Sequence, residues 1–294
     1  MASVQGSLEL VADRRAALGE GPLWDPAGGV LWWVDVFAGL VHRTDPRTGA
    51  DRIFEVGSPV SALTLRRDGS VLAAAATGLV AVDLEGGQPR TLLAFAHDDG
   101  DSRCNDGKCD PAGRFLVGRM AMDAAPGRGS LVCVSPDLRV TTRLTGLAIP
   151  NGLAWSPDGG VMYYVDSVWG EVRAYPYEVS TGELGGPRTL VRFPDDGSLP
   201  DGMTIDVEGH LWLARWGAGC VVRVSPDGAI VDRVDLPVSR VTSCTFGGDD
   251  LGDLYITTAR GDTADGDEDR EPSAGGLFRC RPGVPGTPPV LFAG

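Results

Sequence analysis

Leu199-Pro200-Asp201-Gly202-Met203-Thr204-Ile205-Asp206 places an acidic residue before a glycine, and the glycine before a short apolar run. The same pattern stands at Ile149-Pro150-Asn151-Gly152-Leu153-Ala154-Trp155 and at Leu18-Gly19-Glu20-Gly21-Pro22-Leu23-Trp24. A fourth version is Asn105-Asp106-Gly107-Lys108-Cys109. One Asn-Gly or Asp-Gly pair reads as a turn. Several, at one point of a repeat and with different oxygen side chains, point to a shared ligand.

The repeat extends outward from these stretches. Each is followed by a turn of Asp, Pro and Gly, as in Leu23-Trp24-Asp25-Pro26-Ala27-Gly28 and Leu153-Ala154-Trp155-Ser156-Pro157-Asp158-Gly159. Equivalent turns occur at Arg66-Arg67-Asp68-Gly69, Asp110-Pro111-Ala112-Gly113 and Asp206-Val207-Glu208-Gly209, with a weaker one at Phe246-Gly247-Gly248-Asp249. A second apolar run follows each turn, such as Val30-Leu31-Trp32-Trp33-Val34 or Val161-Met162-Tyr163-Tyr164-Val165. Such β-rich runs, bounded by Gly, Asp and Pro, read as strands in hairpins. No long segment has a helical period. Units of about 40–50 residues match a four-stranded propeller blade. Six units predict an all-β, six-bladed β-propeller, with residues 1–294 forming one domain. The run Leu8-Glu9-Leu10-Val11-Ala12 is expected to close the ring by joining the last blade, since closure removes exposed sheet edges.

Composition narrows the functional classes. Hydrophobic residues make up 43% of the 294 and charged residues 22%, as in an ordinary soluble globular chain. A net charge of -14 would repel a nucleic-acid backbone or an anionic membrane, so neither is expected as a partner. No stretch approaches the roughly 20 apolar residues of a membrane span. Met1-Ala2-Ser3-Val4-Gln5-Gly6 lacks the pattern of a secretory signal. The six cysteines form no Cys-x-x-Cys pair, which argues against structural zinc and fits reduced thiols in a cytoplasmic protein. Residues 96–103 read as a polar loop, and 262–271 as a solvated acidic insertion without the spacing of a calcium-binding helix-loop-helix.

In a propeller the first strand of every blade lines the central channel. Glu20, Asn105, Asn151 and Asp201 hold equivalent places in four units, so they are expected to converge at one mouth of that channel. Two carboxylates with neutral amide oxygens suit one hard divalent metal ion. Ca²⁺ is the first expectation, with Mg²⁺, Mn²⁺, Zn²⁺ or Fe²⁺ also able to occupy such a site.

At this point the chain resembles the gluconolactonase/regucalcin (senescence-marker-protein) family of six-bladed, metal-dependent propellers. The motifs that carry the likeness are Gly19-Glu20-Gly21-Pro22, Arg103-Cys104-Asn105-Asp106-Gly107-Lys108-Cys109-Asp110-Pro111-Ala112-Gly113, Asn151-Gly152-Leu153-Ala154-Trp155-Ser156, Pro200-Asp201-Gly202-Met203 and Thr242-Ser243-Cys244-Thr245-Phe246-Gly247-Gly248. The resemblance implies Glu20, Asn151 and Asp201 as metal ligands, and Arg103 and Asn105 as substrate contacts. Asp123 stands where the family commonly has a longer Glu that contacts sugar hydroxyls. The implied reaction is hydrolysis of a sugar lactone to its aldonic acid, the small-molecule partner being the lactone itself.

In that chemistry the metal polarises the lactone carbonyl while water attacks. Asp201 is the candidate general base, and its service as a ligand alone is the rival. Trp169 and Trp216 follow second strands and are candidates either for pocket walls or for blade packing. No Gly-x-Ser-x-Gly elbow is present, which argues against a serine esterase. Cys104 has no histidine beside it to make it a nucleophile. Two other readings share the scaffold: an organophosphate or other ester hydrolase, and a non-enzymatic calcium-binding regulatory protein. Fold alone does not separate them.

Overall fold

Six sheets, antiparallel except where Ala2–Ser3 adds parallel to the outer strand of the fifth, succeed one another along the chain in the computed structural model, which describes residues 2–3, 7–95, 101–260 and 270–294. Residues 96–100, with His97, and the acidic run 261–269 lie outside the described residues. The innermost strands of the six blades are Gly19–Asp25, Val60–Leu65, Ser102–Cys109, Pro150–Trp155, Leu199–Ile205 and Val241–Gly247. Each packs beside the innermost strand of the next blade, and the sixth packs against the first. The architecture is the six-bladed propeller that the repeat predicts.

The sequence turns into this geometry through a gradient of burial. Second strands are covered on both faces, which is why Val30–Asp35, Val71–Ala75 and Asp253–Thr258 are buried at every position and are built on apolar runs of three to five residues. Outermost strands such as Ala50–Glu55 and Arg90–Ala94 face solvent and carry charge. The core is divided into layers between neighbouring blades. Trp32, Val34, Leu63 and Val80 fill one such layer, and Tyr163, Leu190, Met203 and Val222 another.

Glu9–Ala12 pairs antiparallel with Leu277–Cys280 and supplies the outer strand of blade six, as expected of the Leu8–Ala12 run. The C-terminal segment was not legible as structure. It crosses the base of the propeller, tied by Gly286 N–H to Leu251 O at 2.9 Å, Phe292 N–H to Leu65 O at 2.8 Å and Ala293 N–H to Gly113 O at 3.0 Å. Its prolines give it no period to read. Among the described residues, no helix is long and apolar enough to cross a membrane.

The Asp-Pro-Gly turns at the base do more than reverse the chain. Asp206 is fully buried, and one of its oxygens accepts the amides of Glu208 and His210 at 3.0 and 2.9 Å. The other accepts Trp212 Nε1 at 3.0 Å and Arg223 Nε at 2.8 Å. Asp110 repeats the arrangement in blade three, with the amides of Ala112 and Arg114, Arg114 Nε at 2.6 Å and the Tyr177 hydroxyl at 2.5 Å. Each aspartate thus closes its turn and anchors an arginine and an aromatic ring at once.

Candidate functional site

Every innermost strand breaks register at the same level. The shifts fall between Glu20 and Leu23, Val60 and Ala62, Cys104 and Gly107, Asn151 and Leu153, Pro200 and Met203, and Val241 and Ser243. A bulge leaves a residue out of the ladder, bends the strand and re-aims its side chain. Six bulges at one height build a ring around the channel, and the residues singled out in the sequence sit in or beside it.

Glycine follows the site residue because the neighbouring strands touch there. A Cβ on Gly152 would meet Asp201 O at 2.6 Å, and one on Gly202 would meet Ser243 Oγ at 2.1 Å. The entries to these strands are stitched down by buried aspartates. Asp35 accepts the amides of Ala17 and Leu18 at 3.0 and 3.3 Å, and Asp166 those of Ala148 and Ile149 at 2.7 and 3.0 Å. Glu20 and Asn151 therefore leave fixed backbone.

Glu20, Asn151 and Asp201 are brought together. Asn151 lies in hydrogen-bonding reach of Asp201, and the Asp201 and Glu20 carboxyls are close enough to feel each other's charge. Asn151 Nδ2 donates to Ser167 Oγ at 3.1 Å, and Ser167 Oγ donates on to Pro200 O at 2.8 Å. This fixes which end of the amide faces inward. Asn151 Oδ1 and Asp201 Oδ1 are buried and have no hydrogen-bond partner. Burial first, and then the neighbouring carboxylates Asp201 and Asp106, push Glu20 well above the usual carboxylate range. Burial and Asp106 do the same to Asp201. Unpaired buried oxygens and mutually repelling carboxyls are costly unless a cation answers them. The residues present fit a hard divalent ion with an all-oxygen donor set.

Arg103 is buried beside them. Its guanidinium donates to Cys104 O at 2.9 Å and to Asn105 Oδ1 at 2.7 Å. Burial lowers its pKa, against the pull of Glu20 and Asp201. Asn105 Nδ2 donates to Pro150 O at 2.8 Å, so both ends of this amide are engaged in spanning blades three and four. Asp123 is exposed, and its Oδ1 accepts the amide of Ala125 at 3.0 Å, closing its own loop. Trp169 stacks with the Arg173 guanidinium at 3.6 Å, and Trp216 meets Arg240 at 5.9 Å.

Sequence reasoning missed two residues of this centre. Asp106 is buried directly below the ring, and its carboxyl is raised by burial. Lys108 donates from Nζ to Met203 O at 2.6 Å, with burial lowering its pKa and Asp106 opposing. Beyond this layer a cavity of about 530 Å³ runs down to the turns at Pro111 and Pro157 and to the C-terminal residues Thr287–Val290. None of Glu20, Asn151 or Asp201 lines it.

Other groups of chemical interest are accounted for by packing. Asp206, Glu208 and His210 approach one another at the base, but both Asp206 oxygens are spent on protein donors and Arg223 spans to Glu208 at 2.6 Å. His42 stacks on Trp33 at 4.1 Å and contacts Asp51 at 2.7 Å. All six cysteines are free and buried. Burial pushes the thiols of Cys104 and Cys109 up to about 12, which leaves them protonated and poor nucleophiles.

Residues 18–260 match the SMP-30/Gluconolactonase/LRE-like region. The chain is 40% identical over 282 residues to pentonolactonase XacC of Haloferax volcanii, covering 95% of each chain. It is 38% identical over 295 residues to regucalcin of Oryctolagus cuniculus, covering 98% of each. The crystal structure of the calcium-binding protein regucalcin from Agrobacterium tumefaciens superposes with a TM-score of 0.94 at 30% identity, over 99% of both chains. With the motifs, the closed ring and the near-complete alignment in agreement, the chain belongs to the SMP-30/gluconolactonase family.

Proposed function

We propose that the protein is a metal-dependent lactonase that opens a sugar lactone to its aldonic acid. The observation that carries the reading is the pair of buried, unpartnered oxygens, Asn151 Oδ1 and Asp201 Oδ1, in a centre where burial and mutual repulsion raise the carboxyls of Glu20 and Asp201. The names of the relatives, a pentonolactonase among them, supply the substrate class. Glu20, Asn151 and Asp201 would hold one divalent ion. When bound, that ion supplies Lewis-acid polarisation of the carbonyl.

The chain's own residues do the rest. Arg103, fixed by its bonds to Cys104 O and Asn105 Oδ1, offers a buried cation to the lactone oxygen on which charge develops. Asn105 holds Arg103 in that orientation. Asp201 has a second role to fill, taking the proton of the attacking water. Water adds to the carbonyl carbon, the ring C–O bond breaks and the proton passes to the ring oxygen. The product ionises at neutral pH, so turnover releases acid.

The test is a pH-stat assay on gluconolactone and xylonolactone with spontaneous opening subtracted. Chelated protein is expected to be inactive, and one divalent metal to restore acid release. Metal binding without release above background would move the reading to a non-enzymatic calcium-binding protein. Release from an organophosphate but from neither lactone would move it to that hydrolase class.

A pH effect follows from the raised carboxyls. With folded-state values above the ordinary 4.5 and 3.8, the folded metal-free protein keeps protons that the unfolded chain loses. The contribution of Glu20 and Asp201 to stability is full below their ordinary values and is lost as pH rises through the raised ones. A bound cation reverses the penalty. The gap in unfolding temperature between metal-loaded and chelated protein is expected to widen from pH 5 to pH 8. A gap that stays constant across that range would contradict the assignment.

A further inference from the structure

We propose that Ser167 is the positioning residue of the metal centre: it turns the Asn151 amide so that its oxygen, and not its nitrogen, meets the cation. This rests on the reading of Glu20, Asn151 and Asp201 as the ligands of one divalent ion. Ser167 is buried, and its hydroxyl stands between Asn151 Nδ2 at 3.1 Å and Pro200 O at 2.8 Å. A carbonyl oxygen only accepts, so the single hydroxyl proton goes to Pro200 O. Toward Asn151 the hydroxyl then has only lone pairs to offer, and it takes the N–H end of the amide. Asn151 Oδ1 is left buried and without a protein partner. At its other end this chain of bonds reaches the carbonyl directly before Asp201, so one hydroxyl ties the blade-four ligand to the blade-five ligand.

The two other ligand-bearing blades carry no hydroxyl at the equivalent position. One step before each ligand, Gly19, Pro150 and Pro200 pair with Asp35, Asp166 and Arg215 of the second strands. The next residue along is Val36 in blade one, Ser167 in blade four and Trp216 in blade five. Blades one and four share the scaffold here. Val36 N–H donates to Leu18 O at 2.9 Å and Ser167 N–H to Ile149 O at 3.0 Å, each directly after a buried aspartate. What differs is the ligand. The carboxylates of Glu20 and Asp201 present oxygen whichever way they turn, whereas an amide has one end that binds a cation and one that repels it. Among the three, the hydroxyl stands beside the one ligand whose two ends differ.

The hydroxyl is held as firmly as the ligand it turns. Ser167 opens a short turn, Ser167–Trp169, capped by Asp166, whose carboxylate accepts the amide of Val168 at 3.4 Å along with those of Ala148 and Ile149. Gly170 closes the turn at φ +65°, its N–H donating to Ser167 O at 3.2 Å. Because Ala148 and Ile149 lead into the strand of Asn151, Asp166 fixes that strand and the hydroxyl in one frame. A hydrogen bond that orients a metal ligand from behind is typically worth about tenfold to a hundredfold in metal affinity.

The experiment is a calorimetric titration of chelator-stripped protein with whichever of Ca²⁺, Mg²⁺, Mn²⁺ and Zn²⁺ wild type binds most tightly. It compares wild type, Ser167→Ala and Ser167→Thr, and repeats the Ser167→Ala step in an Asn151→Asp background. Ser167→Ala is expected to weaken metal binding about tenfold or more, and Ser167→Thr, which keeps the hydroxyl, to restore it. In the Asn151→Asp background the same step is expected to cost less than about threefold, since a carboxylate needs no turning. Unchanged affinity in Ser167→Ala overturns the proposal. So does an equal loss in both backgrounds, which would make Ser167 a spacer between blades. If Ser167→Ala does not melt cooperatively in chelator, Ser167→Cys fills the same space with a weak hydrogen-bonding group, and wild-type affinity in that variant also overturns it. A wild type that binds none of the four ions overturns the metal reading, and the role of Ser167 with it.

Discussion

Asp201→Asn is expected to reduce lactone hydrolysis by about a thousandfold or more, while making the chelated protein more stable than chelated wild type above neutral pH. The first effect follows from removing the negative charge of a metal ligand and the candidate base together. Lewis-acid stabilisation is worth several kcal/mol, and every ~1.36 kcal/mol is tenfold in rate. The second effect has the opposite sign because the carboxyl is a liability when no cation is bound. Burial and Asp106 raise it, and its Oδ1 has no partner. An amide of the same shape removes the charge. Steady-state kinetics with added metal and thermal melts with chelator measure the two halves. Wild-type-like turnover would remove Asp201 from the mechanism. A lower melting temperature in chelator would show that its charge supports the fold instead.

Asp206→Ala is expected to do the reverse: it should lower stability by roughly 3–5 kcal/mol without touching the chemistry. Asp206 is fully buried and gathers Glu208 N, His210 N, Trp212 Nε1 and Arg223 Nε. Its removal leaves the Trp212 indole N–H without its acceptor and the Arg223 guanidinium held by the exposed end of Glu208 alone. Unfolding followed by circular dichroism should show a midpoint about 10 °C lower. Asp68→Ala, at an exposed turn in blade two where the carboxylate bonds Ser70 and pairs with Arg66 at 3.7 Å in water, is the control and should shift the midpoint little. If the two variants melt alike, the buried network is not what holds these turns.

Asp201 and Asp206 lie five residues apart in Asp201-Gly202-Met203-Thr204-Ile205-Asp206, at opposite ends of one section of chain. Much of the fold was legible from such stretches. The turn of Asp, Pro and Gly returns in blade after blade, and the second strands are built on short apolar runs because both of their faces are covered. The outer strands were harder to see, since Arg90–Ala94 and Ala50–Glu55 are largely solvent-facing and carry little alternation. At the site, the convergence of Glu20, Asn151 and Asp201 could be inferred because one residue per blade stands before the glycine. Asp106 carries the same signal, because it stands directly before Gly107, yet the pattern places Asn105 at the site. In a regular strand Asn105 and Asp106 would point to opposite faces, so only one of them is expected there. The register shift between Cys104 and Gly107 suspends that alternation, and the Asp106 carboxyl is close enough to Glu20 and Asp201 to raise both.

The pairing of Glu9–Ala12 with Leu277–Cys280 also governs the order in which the molecule can be made. During synthesis Glu9–Ala12 must wait while more than two hundred residues emerge behind it. Blades one to four can each form from contiguous sequence, but the circle stays open until its last inner strands arrive. For that interval the outer edge of the sixth sheet and the flank of the first blade have no neighbours, and either is open to a strand from another chain. Fusion or crowding at the early end would prolong that interval. Slow, concentration-dependent losses during refolding should therefore trace to this seam, whereas the site at the channel mouth would be the last feature to become competent.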